Sequence, residues 1–145
     1  MRSGFDILDA DDSRRVVKRV IKPMNLAGDD SAATAGRDPV KLMCNRLAAF
    51  KDGLITPDDA LAHIEAMIAA AGPTGTPADP QHLRASVRVY AGYQRTLRDV
   101  NTADFGDLLL WPVRAMQTND SYRRRWAARF DAALADEYQD VNQSQ

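Results

Sequence analysis

Residues 79–100 read DPQHLRASVRVYAGYQRTLRDV, and their spacing sets the reading of the whole chain. Asp79-Pro80 is a cap followed by proline at the first helical position, where a missing N–H costs nothing. Leu83, Val87, Tyr90 and Leu97 then recur on one helix face, which predicts the longest helix of the chain, from Pro80 to about Val100. Arg84, Arg88, Arg95 and Arg98 each stand one residue further on, forming a parallel stripe about 100° round the helix. Guanidinium forks match phosphate oxygens and stay charged, so the stripe suits contact with a nucleic-acid backbone. The plainer alternative is a solvated face bordering a core.

The same helical grammar extends in both directions. Upstream, Asp11 and Asp12 precede Val16, Val17, Val20 and Ile21, with five basic residues between Arg14 and Lys22 filling other positions. Residues 27–37 are small, polar and glycine-bearing and read as a loop. Asp38-Pro39 repeats the cap-plus-proline device ahead of Val40, Met43, Leu47 and Phe50, a run that ends at Gly53. Thr56-Pro57-Asp58-Asp59 is a further start signal, followed by Leu61, Ile64, Met67 and Ile68, and GPTGTPA at 72–78 is a break. Downstream, Asp104 and Asp107 cap a helix whose core face is expected at Phe105, Leu108, Leu109 and Val113, with a kink or shifted start at Pro112. Asn119-Asp120 starts a short basic helix through Phe130, carrying Arg123, Arg124, Arg125 and Arg129. The expected fold class is all-α, an irregular helical bundle.

Composition narrows the function. The chain has 145 residues, 45% of them hydrophobic, which excludes a disordered tail. No apolar run approaches the ~18–20 residues of a membrane span, and no signal-peptide pattern stands at the N-terminus. One cysteine, Cys44, rules out an internal disulfide and fits a reducing cytoplasm; its apolar neighbours make it a small hydrophobe. His63 and His82 lack partners at metal-ligand spacing. Nineteen basic residues against twenty acidic give a net charge of −1, yet the charges are segregated: segments 81–98 and 121–129 each hold four arginines and no acid. No Gly-Lys dipeptide occurs, so a phosphate loop is absent from these residues.

The C-terminal stretch is the most specific. Leu134-Ala135 leads into Asp136-Glu137-Tyr138-Gln139-Asp140, then Val141-Asn142-Gln143-Ser144-Gln145. An apolar strand delivering two adjacent carboxylates suits phosphoryl chemistry, one acid as an oxygen ligand for Mg²⁺ and the next as a base for water. This stretch resembles motif II of superfamily 1A DNA helicases of the UvrD/Rep/PcrA type. Phe5 to Asp9 with Asp11-Asp12, Asp104 to Leu110 with Pro112, and the basic Tyr122–Trp126 helix resemble other segments of the family in its order. The layout is closest to the Rep branch. One departure is Ala135, where the family usually has a bulkier β-branched residue.

The resemblance implies a segment of a larger motor, beginning after the Walker A lysine motif and stopping at motif II. It divides the chain into a lead-in from the RecA-like domain (1–10), a helical 1B-type subdomain (11–118), a basic helix returning to the RecA-like domain (119–130) and motif II (131–145). The parent is then an ATP-dependent 3′-to-5′ DNA helicase of repair or replication, with ATP and Mg²⁺ as cofactors and DNA as partner. Asp136 is the implied Mg²⁺ ligand and Glu137 the implied catalytic base; Gln139 and Asp140 belong to the same motif. Arg84, Arg88, Arg95, Arg98, Arg123 and Arg124 are the candidate DNA contacts. Without a phosphate loop, this segment alone is expected neither to bind nor to hydrolyse ATP appreciably. The motif II strand finds no sheet partners here, so residues from about 131 onward are expected to be disordered or to extend the preceding helix. The competing readings are a free-standing helical protein-interaction module and a related repair nuclease-helicase.

Overall fold

A computed structural model describes residues 4–24, 38–71, 80–134 and 136. Their order is β1 (Asp6–Leu8), α1 (Ala10–Ile21) with a 3₁₀ turn at Lys22–Met24, α2 (Pro39–Asp52), α3 (Ala60–Ala71), α4 (Pro80–Asp99), β2 (Thr102–Asp104), α5 (Phe105–Thr118) and α6 (Asp120–Ala127).

Local chemistry accounts for most of the helix ends. Asp9 caps α1 by accepting from the Asp12 amide at 2.8 Å, and Asp11 and Asp12 occupy the first turn. Asp38 caps α2 by accepting from the Val40 amide, with Pro39 beside it as expected. Thr56 accepts from the Asp59 amide and donates to the Asp59 carboxylate, closing a turn before α3 begins at Ala60. Asp104 and Asp107 form a reciprocal capping box on α5. The loop expected at 27–37, the break at 72–78 and the Asp79 cap lie outside the described residues.

Helix α4 is the centre of the molecule. Its buried residues are Leu83, Ala85, Ser86, Val89, Tyr90, Tyr93, Gln94 and Leu97, a wider arc than the four-residue face read from sequence, because α1, α2 and α3 all pack on it. Val17 and Ile21 of α1, Met43, Leu47 and Phe50 of α2, and Ala60 and Ile64 of α3 complete the core. Phe50 stacks on Tyr90 with centroids 5.3 Å apart, and the Tyr90 hydroxyl donates to the Ile55 carbonyl at 3.1 Å. Gly92 lets α1 approach, since a Cβ there would lie 2.9 Å from Val20 Cγ1.

Two expectations are corrected. The chain is mostly helical but has a two-stranded parallel sheet, with Asp6, Ile7 and Leu8 paired to Thr102, Ala103 and Asp104. Parallel strands need a long crossover, and helices α1 to α4 form it. Secondly, Phe105 is 65% exposed and Leu109 is also exposed; the buried residues of α5 are Leu110 and Asp107. The strand before α5 and the reciprocal cap turn the first helical turn so that an acid, and not Phe105, faces inward. Pro112 sits inside α5 without ending it.

Candidate functional site: a buried charge knot and an arginine stripe

Charge is used in two ways. At the junction of α2, α4 and α5, the Lys51 side chain is 3% exposed and places its Nζ 2.5 Å from Asp104 Oδ2 and 2.9 Å from Asp107 Oδ1. The ammonium also stands 5.0 Å from the centre of the Tyr93 ring. The Tyr93 hydroxyl donates to Asp104 Oδ2 at 2.7 Å, and Gln94 Nε2 donates to Asp107 Oδ1 at 2.7 Å. The remaining oxygens accept from the capping-box amides, Asp104 Oδ1 from Asp107 N at 2.9 Å and Asp107 Oδ2 from Asp104 N at 3.3 Å. All four carboxylate oxygens are thereby engaged, which is what a buried ionic group requires. Burial alone raises the Asp104 pKa, but the Lys51 ammonium and the Tyr93 hydroxyl hold its carboxyl below the usual carboxylate range. Burial, with Asp104 nearby, pushes the Tyr93 phenol upward, so it remains a donor. Gly106 is part of the fit, because a Cβ there would meet Lys51 Cδ at 2.7 Å. With all four carboxylate oxygens occupied, the knot ties α2, α4 and α5 together.

The sequence reading identified Asp104 and Asp107 as caps but missed Lys51 as their partner. The available signal was its place: it follows Leu47 by four residues, on the apolar face of α2.

The stripe lies elsewhere. Arg84, Arg88, Arg95 and Arg98 are all exposed and fall within about 80° of arc on α4, opposite its buried arc. Arg84 is engaged by Glu65, through Nε at 2.7 Å and Nη2 at 3.0 Å. Arg98 Nε donates to the Gln94 carbonyl at 3.3 Å, and this side chain borders a cleft of about 470 Å³ with Phe5, Trp111 and Tyr122. Arg88 and Arg95 have no acid partner among the described residues. On α6, Arg123 and Arg124 both pair with Asp120 of the same helix, so half of that positive charge is answered locally. Arg129 lies 4.8 Å from the Trp126 ring, and Tyr122 meets that ring edge-on.

The C-terminal acids whose sequence resembles motif II are only partly described. Asp136 is exposed at a bend; Glu137, Gln139 and Asp140 lie outside the described residues. Helix α6 closes at Ala127 with Ala128 as its cap, and residues 131–134 are exposed and form neither helix nor strand, so the expected helical extension is not formed there. Cys44 is half-buried, and burial raises its thiol pKa. Among the described residues, no three His, Cys, Asp or Glu side chains are grouped to hold a metal, and no helix is long and apolar enough to cross a membrane.

The order of these elements, the capping box that begins Asp104-Phe105-Gly106-Asp107, and the C-terminal acids can be set beside known proteins. The family model of the UvrD/REP helicase N-terminal domain matches residues 1–145. The chain belongs to the UvrD/REP helicase family. It is 36% identical over 146 residues to the ATP-dependent DNA helicase UvrD1 of Mycobacterium tuberculosis (strain ATCC 25618 / H37Rv), covering 100% of this chain and 16% of that protein. It is 28% identical over 145 residues to the ATP-dependent DNA helicase Rep of Escherichia coli (strain K12), covering 100% of this chain and 18% of that protein. It is 28% identical over 142 residues to the ATP-dependent DNA helicase PcrA of Staphylococcus epidermidis (strain ATCC 35984), covering 98% of this chain and 17% of that protein. The chain therefore spans under a fifth of the length of these UvrD/REP relatives.

Proposed function

We propose that this chain is the DNA-gripping helical part of an ATP-dependent 3′-to-5′ DNA helicase of the cytoplasm, acting in repair or replication, together with the carboxylates of its motor. Residues 1–10 lead in from a RecA-like domain, 11–118 form a 1B-type subdomain, 119–130 return, and 131–145 carry motif II. The observation that carries this reading is the exposed arginine arc of α4, in which Arg88 and Arg95 have no acid partner among the described residues. Guanidinium groups set along one helix face meet successive phosphates and hold a duplex or single strand by its backbone without reading its bases. Arg84 and Arg98 extend the arc, and Arg123 and Arg124 of α6 contribute less because Asp120 shares their charge.

ATP and Mg²⁺, when bound in the whole helicase, supply the phosphoryl chemistry. Mg²⁺ takes one or two carboxylates alongside water and phosphate oxygens, and the exposed Asp136 carboxylate is a donor of that class. In this reading Asp136 would hold the ion and Glu137 would serve as base toward the attacking water. The chain has no phosphate loop of its own, so alone it neither binds nor hydrolyses ATP appreciably.

The test is a salt titration of DNA binding by the chain. Four neutralised phosphates give log K falling with log salt at a slope of about −3 to −4. Unchanged affinity between low and moderate salt would overturn the contact. In the whole helicase, Glu137→Gln abolishes hydrolysis while ATP binding survives; normal turnover would refute its role as base.

A further inference from the structure

Helices α1 to α4 stand on the two-stranded sheet by two crossings of the chain, at Asp9 on the way out and at Asn101 on the way back. Asn101 makes the return in left-handed backbone, at φ 54°, which asparagine tolerates. Helix α5 follows β2 directly, at Phe105, and so goes with the sheet. Two crossings define an axis about which the helical unit can turn. A third attachment, away from that axis, fixes the angle.

That third attachment is not hydrophobic. The buried core comes from α1, α2, α3 and α4, with Leu8 of β1 packed against it, and among the described residues no side chain of α5 takes part. Leu110 of α5 is buried outside that core. The contact of α2 with α5 is instead built around Lys51, held between Asp104 and Asp107. Tyr93 and Gln94 tie α4 to the same two acids. Apolar attraction has no direction, whereas hydrogen-bonded charges hold one register.

The same turn of α4 serves the arginine stripe. Arg95 follows Gln94 directly, and Arg98 Nε donates to the Gln94 carbonyl. On the other side, α5 packs on α6, whose chain runs on to Asp136.

We propose that Lys51 is a positioning residue. Its ion pairs with Asp104 and Asp107 set the angle between the arginine-bearing helices and the sheet-and-α5 side, and so couple ATP hydrolysis to DNA movement. This rests on the helicase reading proposed above and draws the end of its helical part in from residue 118 to about 101.

A neutral knot tests it: Lys51→Met with Asp104→Asn and Asp107→Asn. This variant leaves no unpaired buried charge, and asparagine caps a helix as well as aspartate does. In the chain with Cys44→Ala, spin labels at Leu61→Cys on α3 and Leu109→Cys on α5, both exposed positions, report the angle by double electron–electron resonance. One narrow distance distribution should broaden or shift in the neutral knot while the circular dichroism spectrum stays the same. If the triple variant does not fold, Gln94→Leu, which frees α4 from Asp107, should show the same broadening at smaller amplitude. In the whole helicase the neutral knot should keep DNA affinity and ATP hydrolysis within about two-fold, yet raise the ATP consumed per base pair unwound about ten-fold or more. An unaltered distance distribution, or unchanged ATP consumption per base pair, would overturn the proposal. Equal losses of affinity, hydrolysis and unwinding would also overturn it, by making Lys51 a merely structural part. If DNA binding by the unmodified chain ignores salt, the reading of the stripe fails by itself, and the distance distribution still decides the role of Lys51.

Discussion

Lys51 and the pair Arg88/Arg95 carry the same sign of charge and lie on neighbouring helices, yet they occupy opposite settings. Lys51 is enclosed by two carboxylates and an aromatic face, and every oxygen around it has a donor. Arg88 and Arg95 stand in solvent, with no acid partner among the described residues. A saturated buried cation holds helices together, whereas an exposed one without a partner is available to phosphate. Counting basic residues does not separate the two; counting the filled valences around each does.

The sharpest way to break this contrast is Lys51→Met. It leaves Asp104 and Asp107 without their cation, and truncating one member of a buried ionic group costs about 3–5 kcal/mol. Urea denaturation should show that loss; a change under about 1 kcal/mol would remove the knot from the list of what holds α2 to α5. Gly92→Val comes next. Its Cβ would lie 2.9 Å from Val20 Cγ1, so α1 and α4 must separate, at about 1–3 kcal/mol in thermal unfolding. An unshifted midpoint would mean the helices have slack there.

A smaller effect follows pH. The Asp104 carboxyl is held below its unfolded value near about 3.9, so its contribution is complete above that value and is lost as pH falls through the lowered one. Stability measured from about pH 5 down to about pH 2 should therefore decline, and Lys51→Met should flatten this acid limb. An equally steep limb in the variant would place the acid sensitivity elsewhere.

The helices were legible because their caps are local. Asp38-Pro39, Asp104/Asp107 and Asn119 each cap a helix within three residues, as their side chains predict, whereas Thr56 closes a turn ahead of α3 and the helix itself starts at Ala60. The β1–β2 pairing was not legible, since two three-residue strands separated by more than ninety positions have no periodicity to display. Lys51 escaped for a related reason: its partners lie 53 and 56 residues away, from Asp104 and Asp107, and only the fold brings them together. The arginine stripe was legible as a pattern, but which arginines are already engaged, Arg84 by Glu65 and Arg123 and Arg124 by Asp120, depends on contacts. Of the C-terminal acids that resemble motif II, the structure describes Asp136 alone.

The smallest expected change in stability belongs to the variant that bears most directly on the proposed DNA contact. Arg88→Ala combined with Arg95→Ala removes two exposed side chains and should leave the unfolding free energy within about 0.5 kcal/mol. The decisive measurement is its DNA affinity across a salt series, beside that of the unmodified chain. If these arginines neutralise phosphates, the slope of log K against log salt shrinks by about two, roughly 0.9 for each lost contact. An identical slope in a stably folded double variant would contradict the account, leaving the stripe a solvated face.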